Sequence, residues 1–179
     1  MNKILKLSVV LFLICAIVAA VLGAVNAVTI GPITAREKEK TESAYKAVLP
    51  EADSFVEVDP SAYAAYRSTI DKISEAENGA GHVVETTFSG AQGSITMAVG
   101  VDGDGKCAGI SIIKHSETSG LGEVAASASD RGVSFRNSFI GKDESITIHD
   151  IDAITGATIT SKAVTGAVAT AIEAVKALG

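Results

Sequence analysis

Four hydroxyl side chains lie close together in the segment DAITGATITS (152–161), and they are Thr155, Thr158, Thr160 and Ser161. Apolar and small residues at helical spacing follow, so the sequence predicts a loop that leads into a helix. A hydroxyl can cap such a helix, and Thr160 or Ser161 would suit that position. Because one cap needs only one hydroxyl, the grouping leaves open whether another hydroxyl is presented for chemistry.

A second group of reactive types is His115, Ser116 and Glu117. A base, a nucleophile and a carboxylate would suit a hydrolase, but neighbours in sequence rarely form a catalytic triad. No nucleophile elbow accompanies them. The alternative is that His115 ends a strand and Glu117 is solvated.

The segment GVDGDGKC (100–107) approaches a phosphate-binding P-loop but lacks the Ser/Thr that would hold the metal. Asp102 and Asp104 would repel an anion, and Ile113 stands where a calcium loop needs glutamate. β-forming residues flank Asp-Gly-Asp-Gly on both sides, which favours a hairpin turn.

The amino-acid composition argues against several classes of function and site. The net charge is -6 and basic residues are not clustered, which argues against nucleic acid as a partner. The three histidines are scattered, so no metal site is expected. The two cysteines, Cys15 and Cys107, would lie in different environments, so no internal disulfide is expected.

An uncharged stretch runs from Leu7 to Ala35 and is long enough to cross a bilayer. Lys3 and Lys6 precede it, so the positive-inside rule predicts a single span with a cytoplasmic N-terminus and an extracytoplasmic remainder. A cleaved signal peptide is the alternative, but the apolar run exceeds a signal core. A lipoprotein site at Cys15 is less favoured still, because a large residue precedes the cysteine.

The pattern after the span predicts strands first, then mixed elements, then a helix. Thr34 and Glu37 have the form of a capping box, so a helix is expected from there to about Leu49, ending at Pro50. A short helix, a hairpin around Asn78-Gly79, the hairpin at Asp102–Gly105, a helical segment and a strand over 145–151 follow. The expected class is α+β with a largely antiparallel sheet. The predicted division is an anchor (1–30), a helical stalk or linker (31–60) and an extracytoplasmic domain (61–179).

Taken with a second motif, the hydroxyl-rich segment resembles the FMN-binding domain family, whose members carry FMN bound covalently through its phosphate to threonine. The family motif is Asp, two variable residues, Ser or Thr, Gly, Ala or Ser, then the acceptor threonine. This chain also has HSETSGLG (115–122) where the family has H-x-E-T-P-G-L-G, with Ser119 in place of proline. The hairpin DGKCAGI (104–110) and the aromatic residues Phe135 and Phe139 also match, over roughly residues 85 to 178.

The resemblance implies a phosphoester between FMN and Thr158, formed by a flavin transferase. A helix N-terminus behind Thr158 would favour the phosphate. The protein would tune the cofactor's potential and supply no catalytic residue of its own. The further cofactor-binding residues implied are His115, Glu117, Thr118, Gly120, Leu121, Gly122, Asp152, Thr155, Gly156, Ala157, Thr160 and Ser161.

Within the family, the layout of one anchor, a short stalk and one domain is most similar to the G subunits of Rnf complexes, which couple electron transfer between ferredoxin and NAD to ion pumping. The implied role is an electron carrier with other membrane subunits as partners. The alternatives are the C subunit of sodium-pumping NADH:quinone oxidoreductases, an extracellular electron-transfer flavoprotein, and a non-redox assembly or sensor module.

Overall fold

The computed structural model describes residues 3–117 and 122–178. By its contacts, the chain divides into two compact units, one ending at Lys40 and the other beginning at Thr41. The boundary lies inside the first helix, α1 (Lys3–Val48).

In the first unit, α1 is long and apolar enough to cross a membrane, and its apolar window is not buried against other parts of the protein. The helix continues through the position where the sequence predicted a new start. Thr34 does not cap a helix there, because its hydroxyl donates to the Ile30 carbonyl one turn earlier, at 2.9 Å. The prediction of a helix start at Thr34 is therefore wrong, since the helix is already formed.

The second unit is built on a five-stranded antiparallel sheet in which each strand pairs with the next along the chain. Residues 58–69 connect the first two strands, and short turns connect the others, because antiparallel neighbours need only a tight connection. The strands are β1 (Phe55–Glu57), β2 (Ile70–Ala76), β3 (Gly81–Ser89), β4 (Ser94–Asp102) and β5 (Cys107–His115).

Two further helices follow the sheet, α2 (Asp130–Asn137) and α3 (Thr158–Lys176). Single 3₁₀ turns lie at Ala64–Tyr66, Gly122–Ala125 and Ile148–Asp150. The α+β class with an antiparallel sheet is confirmed.

The sheet buries side chains on both faces, as alternation along its strands requires. On one face, Val84, Met97 and Val99 pack in the main core, which also contains Val168 and Ile172 of α3. On the other face, Val83 and Ala98 form a smaller cluster with the last turns of α1. The sheet is therefore the middle layer of the domain, covered on both faces.

Both predicted hairpins are present. β2 and β3 turn at Asn78-Gly79, and Gly79 has the positive φ of 73° that such a turn requires. β4 and β5 turn after Asp102, whose Oδ1 accepts the N–H groups of Asp104 at 3.0 Å and Lys106 at 2.9 Å. The P-loop alternative is excluded, because the segment turns one strand back into the next.

The strand expected over 145–151 is wrong. Thr147 and Asp150 form a reciprocal capping box around a 3₁₀ turn, in which the Asp150 carboxylate accepts the Thr147 N–H at 2.8 Å. Short polar side chains that bond to nearby backbone compete with strand pairing. The β-forming residues of this segment are therefore held in a turn.

Phe135 and Phe139 pack edge to face, with ring centroids 5.2 Å apart, and both are fully buried. Phe135 lies on α2, whereas Phe139 follows the helix end. The aromatic pair anchors this region in the core.

Cys107 is buried as well, and burial raises the pKa of its thiol to about 12. A thiol held protonated in this way is chemically inert.

Candidate functional site

Helix α3 begins at Thr158, within the hydroxyl-rich segment. The preceding residue, Ala157, is the N-cap, and it has no side chain that can bond to the helix. The N–H groups of Thr158, Ile159 and Thr160 have no carbonyl partner four residues back inside the helix. Among the described residues no other partner for these N–H groups is found, so this helix end offers donors and a positive dipole that suit an anion.

Thr160 and Ser161 lie inside the first turn, so the prediction that one of them caps the helix is wrong. Both are fully buried. The Thr160 hydroxyl donates to Glu117, and Ser161 Oγ accepts the N–H of Ile154, a buried residue of the preceding loop. Partners from elsewhere in the fold take both hydroxyls.

By contrast, the side chains of Thr155 and Thr158 are exposed. Gly156 between them has a φ of 85°, which a side chain would disfavour, and buried Ala157 follows. The loop therefore turns sharply and presents the Thr158 hydroxyl to solvent directly at the uncapped helix end.

Helix α2 holds the other side of this loop. The hydroxyl of Ser134 donates to Asp152 Oδ2 at 2.8 Å, and Arg131 Nη2 donates to the Thr155 carbonyl at 3.3 Å. An open cleft of about 520 Å³ lies between them, lined by Asp130, Val133, Ser134, Asn137, Ser138 and Asp152. The sequence indicated Asp152 but not Ser134 or Arg131, because nothing local to α2 shows which loop it meets.

Glu117 lies just beyond β5 and is half-buried. Its Oε1 accepts the N–H groups of Gln92 at 3.1 Å and Gly93 at 3.3 Å, and its Oε2 accepts the Thr160 hydroxyl at 2.8 Å. Desolvation raises the pKa of Glu117, but these bonds together outweigh it, so the pKa lies below its usual range.

Glu117 is therefore a paired carboxylate, and the solvated alternative is wrong. The hydrolase arrangement also lacks support, since this carboxylate contacts Thr160 and the turn after β3 rather than orienting His115. The sequence could not indicate Gln92 and Gly93, which contribute only their backbone.

His115 ends β5, opposite Ile95 of β4. Its Nδ1 is buried and has no hydrogen-bond partner in the described part of the chain. Buried polar atoms are normally paired. His115 therefore differs from the other buried polar side chains of the described residues, which all have a partner.

Thr118, Gly120 and Leu121 lie outside the described residues. Gly122 opens the 3₁₀ turn and packs against Glu117, whose carboxylate a Cβ on Gly122 would overlap. Arg136 of α2 fixes the chain beyond this turn, because its Nη1 donates to the carbonyls of Ala125 at 2.7 Å and Ser127 at 2.9 Å. The segment after Gly122 is thus tied to the helix that also holds the Thr155 loop.

Cations lie near the free helix end. Lys162 follows Thr158 by one helical turn, so the two side chains share a face of α3. Arg131 reaches the Thr155 carbonyl. Within residues 3–117 and 122–178, no cluster of three His, Cys, Asp or Glu could hold a metal ion. Both cations could neutralise part of the charge of an anion at this helix end.

The fold and the site define an α+β domain with a hydroxyl held at an uncapped helix end, and residues 90–173 match the FMN-binding domain. FMN is therefore the cofactor that this domain class supports.

Curated relatives extend the match over nearly the whole chain. The G subunit of the ion-translocating oxidoreductase complex of Methanosarcina acetivorans is 32% identical, over 98% of this chain and 96% of its own. The G subunit of the Na⁺-translocating ferredoxin:NAD⁺ oxidoreductase complex of Acetobacterium woodii is 34% identical, over 95% and 90%. The proton-translocating counterpart of Clostridium ljungdahlii is 34% identical, over 97% and 92%. The chain belongs to this family of G subunits, as the resemblance in its motifs predicted.

Proposed function

We propose that the protein is the membrane-anchored electron carrier of an ion-translocating ferredoxin:NAD oxidoreductase complex, with FMN joined through its phosphate to Thr158. The observation that carries the proposal is the exposed Thr158 hydroxyl at the uncapped N-terminus of α3. The names of the curated relatives support the complex, and the domain match supports FMN. When bound, FMN supplies the redox chemistry by accepting and releasing electrons at its isoalloxazine ring.

The residues around Thr158 would hold the phosphate. The free N–H groups of the first turn of α3 can donate to its oxygens, and Lys162 and Arg131 can neutralise part of its charge. The exposed Thr155 hydroxyl is a further candidate contact, and so is His115, whose Nδ1 has no partner among the described residues. Gly156 and Ala157 leave room for a modifying enzyme to reach the hydroxyl.

Attachment needs a transferase and an activated donor, in which FMN forms a phosphoric anhydride. Thr158 Oγ1 forms the new bond to phosphorus, while the anhydride P–O bond breaks and its electron pair leaves with the departing phosphate. The hydroxyl proton passes to a base of the transferase. Because no electrons are exchanged in this step, the flavin keeps its oxidation state.

The direct test is mass spectrometry of full-length protein co-expressed with a flavin transferase. One FMN should be added, and peptide mapping should locate it on Thr158. Thr158→Val should abolish the adduct, whereas Thr170→Val should keep it, since that hydroxyl bonds to the Gly166 carbonyl of the same helix. An adduct that survives in Thr158→Val would refute the attachment site.

A denaturing gel separates the electron carrier from a non-redox assembly or sensor module. Covalent flavin makes the band fluoresce under ultraviolet light. A dark band from cells that contain the transferase would favour the non-redox alternative. Subunits that co-purify would then distinguish a ferredoxin:NAD oxidoreductase from a sodium-pumping NADH:quinone oxidoreductase.

We also propose that α1 anchors the protein with its N-terminus in the cytoplasm and the flavin domain outside it. Lys3 and Lys6 precede the apolar stretch, whereas Arg36 after it is accompanied by Glu37 and Glu39. A membrane-impermeant thiol reagent should label exposed Ser43→Cys in a Cys15→Ala background in intact cells, since Cys107 is buried. Labelling only after the cells are broken would reverse the orientation.

A further inference from the structure

Glu117 connects two separate parts of the domain. One carboxylate oxygen accepts two backbone N–H groups, from Gln92 and Gly93, in the turn between β3 and β4. The other accepts the hydroxyl of Thr160 in the first turn of α3. A single side chain thus joins the sheet to the helix end that carries Thr158.

Glycines make room for this carboxylate. A Cβ on Gly90 would overlap Oε1 of Glu117, and a Cβ on Gly122 would overlap Oε2. Gly93 is packed as closely, since a Cβ there would lie 2.6 Å from atoms of Ser116. The backbone at Gly90 and Gly122 therefore approaches the carboxylate closely, and larger residues there would require Glu117 to move.

This geometry also limits what else Glu117 can do. Both of its oxygens already accept hydrogen bonds from protein groups, and the Thr160 hydroxyl that it holds is fully buried. A carboxylate committed in this way contributes through the groups it fixes. It also brings no donor for a flavin phosphate, which it would repel on direct approach.

We infer that Glu117 is a positioning residue for the flavin site, which fixes the first turn of α3 to the turn between β3 and β4. The link between the two segments is seen in the hydrogen bonds of the protein itself, whereas its effect on the flavin rests on the proposed function. Thr160 is two residues from Thr158, so a loosened link changes the direction in which the attachment hydroxyl points.

The first test is amide hydrogen exchange in full-length protein without flavin. Glu117→Ala should speed exchange at Gln92 and Gly93 by about tenfold, because their N–H groups lose their acceptor. Glu117→Gln should stay within about threefold of wild type, since its amide oxygen can accept the same N–H groups. Glu123→Gln, an exposed glutamate in the adjoining turn, is the matched control and should change nothing.

The Thr160 end of the link is tested with a pair of variants. Thr160→Val removes the hydroxyl and should increase exchange at Ile154 and Ser161, whereas Thr160→Ser keeps the donor and should restore protection. The effect on the flavin is measured in protein that carries bound FMN. Glu117→Ala should lower the fluorescence anisotropy of the bound flavin, and Glu117→Gln should restore it.

Unchanged exchange at Gln92 and Gly93 in Glu117→Ala would overturn the inference, as would equal exchange in Thr160→Val and Thr160→Ser. If the flavin-bound Glu117→Ala protein has the same fluorescence anisotropy as wild type, Glu117 does not position the flavin. If wild-type protein takes up no flavin, the proposed function fails, while the exchange data still decide whether Glu117 joins the two segments.

Discussion

Ile154 and Ser161 are joined by a buried hydrogen bond in which the Ile154 N–H donates to Ser161 Oγ at 3.1 Å. The bond spans the loop that contains Thr155 and Gly156 and the start of α3 at Thr158. It closes that loop onto the helix it precedes, so the shape of the proposed attachment loop (residues 154–157) depends on a side chain from the helix itself.

Ser161→Ala should destabilise the protein by about 1–3 kcal/mol, since it leaves the Ile154 N–H buried without a partner. Flavin attachment at Thr158 should slow as well, because the loop is no longer held. Ser134→Ala is the control, for it removes an exposed hydrogen bond to Asp152 of the same loop and should cost less. Equal unfolding midpoints for the two variants in urea would contradict this account.

Lys162→Glu should slow FMN attachment several-fold, because the side chain shares a helix face with Thr158 and would repel the incoming phosphate. The difference from wild type should shrink with added salt, since both groups lie near the surface. Timed mass spectrometry of the adduct measures the rate. Lys46→Glu, an equal charge change at an exposed position of α1, is the control. A rate that is equally slow in both variants would show a general charge effect.

Glu117 should make the free energy of unfolding depend on pH in the acidic range. The pKa of this carboxyl is lowered in the folded protein from an ordinary value of 4.5, so ionisation favours folding. That contribution is complete above about pH 4.5 and is lost as the pH falls through the lowered value. Glu117→Gln should therefore show a flatter stability profile below pH 4.5 than wild type. Thermal unfolding between pH 3 and 7 measures it, and parallel profiles for the two proteins would count against the paired carboxylate.

Local signals predicted much of this fold. The hairpins at Asn78-Gly79 and at Asp102 were predictable, because their turn residues specify the backbone over a few positions. The composition of residues 152–161 likewise predicted a loop that leads into a helix, which the structure has. These features need no information from distant parts of the chain.

The wrong predictions have two causes: local hydrogen bonds that compete with strand formation, and contacts between residues that are far apart in sequence. The segment around Thr147 has β-forming residues, but its capping box with Asp150 outweighs them. Thr160 and Ser161 are residue types that often cap helices. In the structure, however, the Thr160 hydroxyl bonds to Glu117, and the Ser161 hydroxyl bonds to the Ile154 N–H. Glu117 lies far from Thr160 in sequence, and no pattern near either residue shows that the fold brings them together.

Gly100 and Gly109 form a matched pair for the packing of α1 on the sheet. They are opposite one another in the register of β4 and β5, and both lie beside Val48. A Cβ on Gly100 would overlap the Val48 carbonyl oxygen and lie 2.9 Å from the carbonyl carbon. On Gly109 it would meet the Val48 Cα at 3.5 Å, an ordinary contact.

Gly100→Ala should therefore destabilise the protein by about 1–3 kcal/mol, because backbone atoms of α1 must move to admit the methyl group. Gly109→Ala should be neutral, or more stable by about 0.5 kcal/mol, since alanine restricts the unfolded chain. Chemical unfolding of the full-length protein in detergent compares the two. A similar loss of stability in both variants would mean that the packing of α1 tolerates an added methyl group at neither position. A neutral Gly100→Ala would show that the end of α1 is free to shift.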